Sequence, residues 1–192
     1  MVEMIAKVIV NQMEEEKILS GKIKEHYEYA LIGILEKGIT IFSILCLSIV
    51  LECIVPMGIF LAFFLTLRKR TGGYHTDAFW KCYLGTLAIS TMITIICPIA
   101  LDNMNIIYAL LVLSILSIAL IGTVNHPNML MDSSELQESK RAARYLLGLE
   151  CMILYSAIIL DLHILYIYYM AMAIILCASL LCVAKILKQE VE

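Results

Sequence analysis

The residues best suited to chemistry lie together in one short polar segment, residues 68–82, between two long apolar runs. This segment contains three consecutive basic residues, a glycine pair, His75 and Cys82. A thiol beside an imidazole can act as a nucleophile with its general base. The segment therefore predicts Cys82 as a candidate nucleophile and His75 as its base.

The spacing of these two residues requires a bend in the chain. Seven residues of continuous helix would separate His75 and Cys82 by roughly 10.5 Å along the axis, which is too far for proton transfer. Gly72 and Gly73 permit a sharp turn before the histidine. Cys82 would then lie near the start of the next helix, where the helix N-terminus and nearby cations favour the thiolate.

Arg70 and Asp77 are candidate supporting residues. Arg70 could bind a substrate carboxylate or stabilise developing negative charge. Asp77 could orient His75 or, like Thr76, cap the helix that follows. The structural alternative is that the glycine pair is only a turn, the basic cluster anchors the chain at lipid head groups, and the Cys–His pair is incidental.

The composition indicates an integral membrane protein. Of 192 residues, 61% are hydrophobic, and the mean hydropathy is +0.90. Soluble domains contain about 45–50% apolar residues, so a soluble fold of this size would lack the polar side chains to cover itself. Lipid admits helices and closed barrels, and the apolar runs are continuous rather than alternating as barrel strands are. We therefore predict an all-α, polytopic membrane protein.

Six apolar runs predict about six membrane-spanning helices. They comprise residues 39–55, 57–67, 83–101, 106–124, 145–160 and 164–184. The first two are separated by a proline, and the second is short because a crossing needs about 20 residues. Since Lys37 precedes this pair and residues 68–70 are basic, we interpret it as a helical hairpin that turns near Glu52–Pro56 and begins near Tyr29. A four-crossing version, in which residues 57–67 form a re-entrant hairpin, is the main alternative.

The basic residues orient this arrangement, because positive side chains prefer the cytoplasmic side. With six spans and both termini inside, all 14 Lys and Arg residues fall in cytoplasmic segments. The outward turns near Glu52, Asp102–Asn103 and Asp161–His163 contain none. We therefore expect a multi-pass cell-membrane protein whose termini and active-site loop face the cytoplasm.

We treat residues 1–192 as a single membrane domain. At its start, Val2, Ile5 and Ile9 share one helical face, so residues 1–20 should form an amphipathic helix in the membrane interface. A helix packed on the rest of the protein is the alternative. The remaining parts are a hairpin (29–67), the catalytic loop and helix start (68–82), four further membrane helices (83–184) and a tail (185–192).

Composition also excludes several classes of ligand. The net charge is −3 and no basic arm is present, so we expect no nucleic-acid partner. Six of the seven cysteines lie inside apolar runs, where cysteine behaves as a small hydrophobe. None has CxxC spacing, so neither a zinc site nor a redox pair is indicated. We expect no metal and no cofactor.

The run Arg70-x-x-Gly73-Tyr74-His75, followed by Cys82, resembles the accessory gene regulator B (AgrB) family, the membrane peptidases of Gram-positive peptide signalling. The chain length, the polytopic character, the histidine-to-cysteine spacing and the position after the first apolar hairpin also match. The resemblance covers most of the chain, but only the Gly-Gly-Tyr-His…Cys motif is specific.

A second, looser part of the resemblance is the turn Asn125-x-Pro127 with the basic segment that follows it. Family members often show a small residue and a proline before this turn. Here Gly122-Thr123-Val124 stands in that place.

The resemblance implies a cysteine endopeptidase and cyclase, with Cys82 as nucleophile and His75 as general base. Its substrate would be an AgrD-type propeptide with an amphipathic leader, a central cysteine-containing segment and an acidic tail. Cys82 would cleave before the tail, and an internal thiol or hydroxyl would close a thiolactone or lactone. Lys140, Arg141 and Arg144 could attract the acidic tail, and the N-terminal helix could dock the leader. The family also suggests a homodimer.

Two other functions compete with this reading. A transporter of a peptide or small solute would carry charges or broken helices at the membrane midplane. Here Glu52 lies near an outer turn, Glu150 near an inner end, and only Pro98 could break a span. The other competitor is a non-enzymatic membrane scaffold or sensor.

Overall fold

The computed structural model describes residues 2–16, 18, 24–73, 78–125 and 131–188, and these form seven α-helices and no strand. The helices are α1 (Val2–Glu15), α2 (Lys24–Val50), α3 (Ile54–Thr71), α4 (Phe79–Asp102), α5 (Met104–Ile121), α6 (Ser133–Ile159) and α7 (Ile164–Ile186). Five of them, α2 and α4 to α7, are long and apolar enough to cross a membrane. The prediction of an all-α, polytopic membrane protein is confirmed.

The α2–α3 pair turns at residues 51–53, where Glu52 has a positive φ of 55°. The break therefore lies just before Pro56, which is inside the first turn of α3, where proline is tolerated because the missing N–H has no helical partner. Helix α3 is continuous over 18 residues, or about 27 Å. This length is closer to a full crossing than to a short re-entrant segment. Its last turn carries three basic residues, whereas the last turns of the five apolar helices carry at most one, Lys185 of α7.

Helix α7 is the centre of the bundle and packs most extensively on α3 and α5. Most of its buried side chains are apolar or small. Two tyrosines join it to α4: the Tyr168 hydroxyl donates to the Ile93 carbonyl at 2.8 Å, and the Tyr169 hydroxyl donates to Thr94 Oγ1 at 3.1 Å. Helix α3 packs against both α7 and α6 and so belongs to the core.

Many large apolar side chains remain exposed along α2, α4, α5 and α6, for example Phe42, Ile95, Leu120 and Tyr155. An apolar surface of this extent is unfavourable in water. It is the surface that lipid tails cover, and it fits a multi-pass membrane protein.

Helix α1 packs antiparallel to the N-terminal half of α2. Lys7 lies 3.7 Å from Glu28, and Lys24 donates to Glu14 at 2.6 Å. Only Ala6 and Val10 of α1 are buried. The predicted helix therefore exists and contacts the protein, as in the alternative that we considered. Residues 19–20, at the end of the predicted helix, and residues 189–192 of the tail lie outside the described residues.

Candidate active site

Cys82 lies in the first turn of α4, and its side chain is exposed. Its backbone N–H reaches the Ala78 carbonyl at 3.4 Å. Ala78 occupies the N-cap position and makes no side-chain cap. Helix α4 therefore begins one residue later than Asp77 as N-cap would require, and two residues later than Thr76 would require. Thr76 and Asp77 themselves lie outside the described residues. An exposed thiol in a first helical turn is accessible to substrate and feels the positive end of the helix dipole.

The chain leaves α3 at the glycine pair. Gly72 has a φ of 64° and Gly73 a φ of 121°, conformations that side chains other than glycine rarely adopt. Since α4 begins only at Phe79, residues 73–83 do not form one straight helix. Gly72, Gly73 and Ala78 are therefore not helical, which is what the His75–Cys82 hypothesis requires of the described residues. His75 itself lies outside the described residues, so its contact with Cys82 stays a prediction.

Arg68 supports this turn, a role that the sequence pattern did not reveal. Its side chain is half-buried and its guanidinium donates to the Gly72 carbonyl. It is also close enough to Cys82 and Cys177 to interact electrostatically with both. A Cβ at Gly73 would collide with this guanidinium and lie 3.2 Å from the backbone carbon of Leu180. The glycine therefore provides space for the arginine as well as an unusual φ.

Arg70 differs from Arg68, because its side chain is exposed. Its carbonyl oxygen accepts two hydroxyl groups, from Thr123 at 2.9 Å and from Ser139 at 3.1 Å. The next carbonyl, that of Thr71, accepts the Val124 N–H at 3.1 Å. The end of α3 is therefore attached to the segment between α5 and α6 and to α6 itself.

The three predicted tail-binding cations of α6 have different environments. The Lys140 side chain packs along Gly122, where a Cβ would lie 3.0 Å from Lys140 Cγ. Arg144 donates through Nε to the Ala119 carbonyl at 2.9 Å and so caps α5. Arg141 is exposed and has the side chain best placed to meet an incoming anion.

The start of α6 is set by a capping box. The Asp132 carboxylate accepts the backbone N–H groups of Ser134 and Glu135, both at 2.8 Å, and the Glu135 side chain accepts the Asp132 N–H. Hydrogen bonds from the Glu135 backbone and the Ser134 side chain hold the pKa of Asp132 below its ordinary value. This device fixes where α6 begins, about two turns before its basic residues Lys140 and Arg141.

The loop before α6 is closed by one side chain. Asn125 donates to the Met131 carbonyl at 3.0 Å and accepts the Met131 N–H at 3.1 Å. It thus brackets residues 126–130, which lie outside the described residues together with the predicted Pro127 turn. Asn125 is also buried, at 6% exposure.

Glu150 of α6 has a buried carboxyl group. From the sequence alone, it was noted only as a residue near the inner end of a helix. It is 4% exposed. Its Oε1 lies 2.7 Å from the Thr66 hydroxyl of α3, and its Oε2 has no hydrogen-bond partner among the described residues. Cys177 of α7 lies within electrostatic range of both Glu150 and Arg68. An acidic residue inside an apolar run was the available signal.

Within the described part of the chain, no three His, Cys, Asp or Glu side chains converge as a metal-ligand set. The arrangement instead supplies an exposed thiol, a half-buried cation beneath a glycine turn, and a group of basic residues on α6. These parts suit acyl transfer to a thiol more directly than they suit metal binding.

The amino-acid sequence matches a known protein family. The profile of the family described as Accessory gene regulator B matches residues 2–185. A segment of 93 residues is 31% identical to AgrB-like protein 2 of Clostridium perfringens. The aligned segment spans 48% of this chain and 44% of that relative, so less than half of the relative's length is matched. No solved structure matches the chain.

Proposed function

Because the chain belongs to the accessory gene regulator B family, matched over residues 2–185, we propose that it processes an AgrD-like propeptide in peptide quorum sensing. In this proposal it is a cysteine endopeptidase that removes the C-terminal tail and cyclises the remainder. The observation that carries the proposal is the exposed Cys82 thiol in the first turn of α4, within electrostatic range of the same Arg68 side chain that donates to the Gly72 carbonyl.

The first half-reaction is cleavage. His75 takes the thiol proton, and Cys82 Sγ attacks the carbonyl carbon of the peptide bond before the tail. The C–N bond breaks, the proton passes to the departing amine, and the tail leaves as a free peptide. The product is a thioester between Cys82 and the new carboxyl end of the substrate. The Arg68 cation lies where it can stabilise negative charge near the sulfur.

The second half-reaction is ring closure. An internal thiol or hydroxyl of the bound peptide gives its proton to His75 and attacks the thioester carbonyl, the bond to Cys82 breaks, and His75 returns that proton to the Cys82 thiolate. No oxidant or reductant is needed. Water would compete for the thioester, so the site must exclude it. The apolar side chains of α3 and α4, the helices on either side of the loop, support this exclusion of water.

Substrate recognition in this proposal uses charge and amphipathicity. Arg141, exposed in the third turn of α6, attracts the acidic tail, assisted by Lys140 and Arg144. Helix α1 contributes exposed apolar side chains, Met4 and Val8 among them, for the leader. The cytoplasmic orientation of the loop and the homodimer remain parts of the proposal.

The deciding experiment co-expresses the chain with a cognate propeptide and detects tail removal by mass spectrometry. Cys82→Ser and His75→Ala should each abolish processing, whereas Cys46→Ser, which replaces another exposed thiol, should not. A trapped thioester to Cys82 would identify the intermediate. Processing by both Cys82→Ser and His75→Ala at the parental rate would refute the catalytic assignment and favour a scaffold.

Tail recognition has its own test, because Arg141 is exposed while Arg144 bonds the Ala119 carbonyl. Arg141→Glu should raise KM about tenfold for an acidic tail with little change in kcat, since it removes attraction before the chemical step. A substrate with a basic tail should reverse this preference. If the ratio of the KM values for acidic and basic tails is the same in the variant as in the parent, Arg141 has no part in tail recognition.

A further inference from the structure

The last carbonyl groups of α3 obtain their partners from elsewhere in the molecule. The final turn of any helix leaves carbonyls without intrahelical donors. Here Arg70 O accepts the hydroxyls of Thr123 and Ser139, which are 53 and 69 residues away in sequence. Thr71 O accepts the Val124 N–H. The point at which the chain enters the glycine turn is thus held by two other elements.

The hydroxyls of Thr123 and Ser139 choose a different kind of acceptor from most hydroxyls on the described helices. Ser117 of α5 and Ser156 of α6, for example, return their hydrogen bonds to the carbonyl four residues earlier in their own helix. Thr123 and Ser139 instead converge on one carbonyl of α3, and both are buried, at 1% and 7% exposure. Breaking such a buried contact leaves a polar group unsatisfied.

We propose that Thr123 and Ser139 are positioning residues for the reaction. By holding Arg70 O they fix the end of α3 from which the Gly72–Gly73 turn starts. Because Ser139 directly precedes Lys140 and Arg141, they also attach that turn to the basic part of α6, which fixes the tail-binding surface relative to the end of α3. This inference rests on the proposed function, because it assigns the two hydroxyls a part in the same site.

The geometry predicts a distinctive pattern of mutational effects. A carbonyl oxygen has two lone pairs, and here each is used by a different residue. Either hydroxyl alone can still hold Arg70 O, so each single variant should lose little activity. Removing both should cost far more than the sum of the singles, since residues that share a partner are not additive.

The experiment compares Thr123→Val, Ser139→Ala and the double variant in full-length protein in lipid nanodiscs. We expect kcat to fall about two- to threefold in each single and about 10- to 100-fold in the double, with KM within about twofold of the parent, because misplaced reacting groups slow the chemical step. Ser117→Ala and Ser156→Ala are matched controls on α5 and α6 and should behave as the parent.

A second readout does not depend on substrate. In a Cys46→Ser background, alkylation of Cys82 by iodoacetamide should slow at least about threefold in the double variant, because the base that generates the thiolate is displaced. Thr123→Ser combined with Ser139→Thr keeps both hydroxyls and should restore both kcat and alkylation. A merely structural weakening would lower the thermal midpoint without this selective loss of kcat.

Several results would overturn the inference. Unchanged kcat and unchanged alkylation in the double variant would do so, as would strictly additive effects. If the double variant is not recovered folded, the singles decide: unchanged kcat in both contradicts the inference. Processing by Cys82→Ser would instead refute the proposed function, while the alkylation rate would still report whether the two hydroxyls position Cys82.

Discussion

At the scale of single residues, the site depends on which of two neighbouring arginines faces inward. Arg68 places its guanidinium under the glycine turn, and Arg70 exposes its side chain while its carbonyl is held by two hydroxyls. Residues i and i+2 of a helix are rotated by about 200° around its axis, so the side chains of Arg68 and Arg70 point to nearly opposite sides. The predicted support role of Arg70 stays a prediction, and Arg68 is the residue that the structure adds.

Gly73→Ala tests the space beneath the turn. Its φ of 121° is unfavourable for alanine, and the added Cβ would collide with the Arg68 guanidinium. We expect processing to fall at least about tenfold, because strain and a displaced loop both misplace the reacting groups. Gly58→Ala is the control, since a Cβ there meets nothing within 4 Å. Parental rates for both variants would show that the turn tolerates rearrangement.

Glu150→Gln tests the buried carboxyl between α3 and α6. The Thr66 hydroxyl lies near three acceptors, Glu150 Oε1 and the carbonyls of Ala62 and Phe63, and has only one proton to donate. A neutral amide of the same shape avoids the cost of a buried charge, so the thermal midpoint in nanodiscs should stay equal or rise. Thr66→Val should lower the unfolding free energy by about 1–3 kcal/mol. A lower midpoint for the glutamine variant would mean that the negative charge itself is needed.

At the scale of elements, the candidate site is assembled by helix ends rather than by helix faces. The C-terminus of α3, the N-terminus of α4 and the first turns of α6 each contribute a part. Helix ends carry unsatisfied backbone groups and partial charges, which the apolar helix middles do not offer. The longer helical middles pack the core, and α7 holds α3 in place.

Acid should loosen the start of α6 through Asp132. Its carboxylate accepts hydrogen bonds in the folded chain, so its pKa is lower there than in the unfolded chain. The resulting stabilisation is present above the ordinary aspartate pKa and is lost as pH falls through the lower, folded value. Amide hydrogen exchange of residues 133–138 should therefore accelerate, beyond its intrinsic pH dependence, between about pH 5 and pH 3.

Asp132→Asn is the matched control, because asparagine also caps helices but does not titrate in this range. Its exchange protection should persist to lower pH, leaving only the contribution of Glu135 from the capping box. Identical pH profiles for parent and variant would contradict a role for the Asp132 carboxylate.

At the scale of the whole molecule, the distribution of charge predicts the orientation in the membrane. The described Lys and Arg residues lie in α1, the N-terminal half of α2, the α3–α4 junction, the first turns of α6 and the end of α7. The turns at residues 51–53, 103 and 160–163 carry none. Placing the basic ends together on the cytoplasmic side satisfies the positive-inside preference.

Accessibility labelling tests this orientation. In a Cys46→Ser, Cys82→Ser background, Asp102→Cys and Leu162→Cys should react with an impermeant maleimide on intact cells. Lys81→Cys and Arg141→Cys should react only after permeabilisation. All four positions are exposed. Labelling of Asp102→Cys and Leu162→Cys from opposite sides would exclude the six-span arrangement.

By itself, the amino-acid sequence determined the membrane character, the all-α class, the helical segments and the Gly-Gly-Tyr-His…Cys motif. These follow from local properties, namely continuous apolar runs, clustered positive charge and glycine at a turn. The observed helix ends differ from the predicted ones. Helix α2 begins at Lys24 rather than near Tyr29, and the break before α3 ends ahead of Pro56. Apolar content alone does not mark where a helix stops.

Only the tertiary structure decided which polar groups meet. The Arg68 contact with the glycine turn, the two hydroxyls on Arg70 O, and the Glu150–Thr66 pair join residues on different helices. Such pairings depend on how each helix is rotated and at what height it packs against α7, and no local pattern encodes rotation and height. Residue types alone therefore suggested the candidate thiol chemistry, whereas the contacts around it depend on the folded bundle.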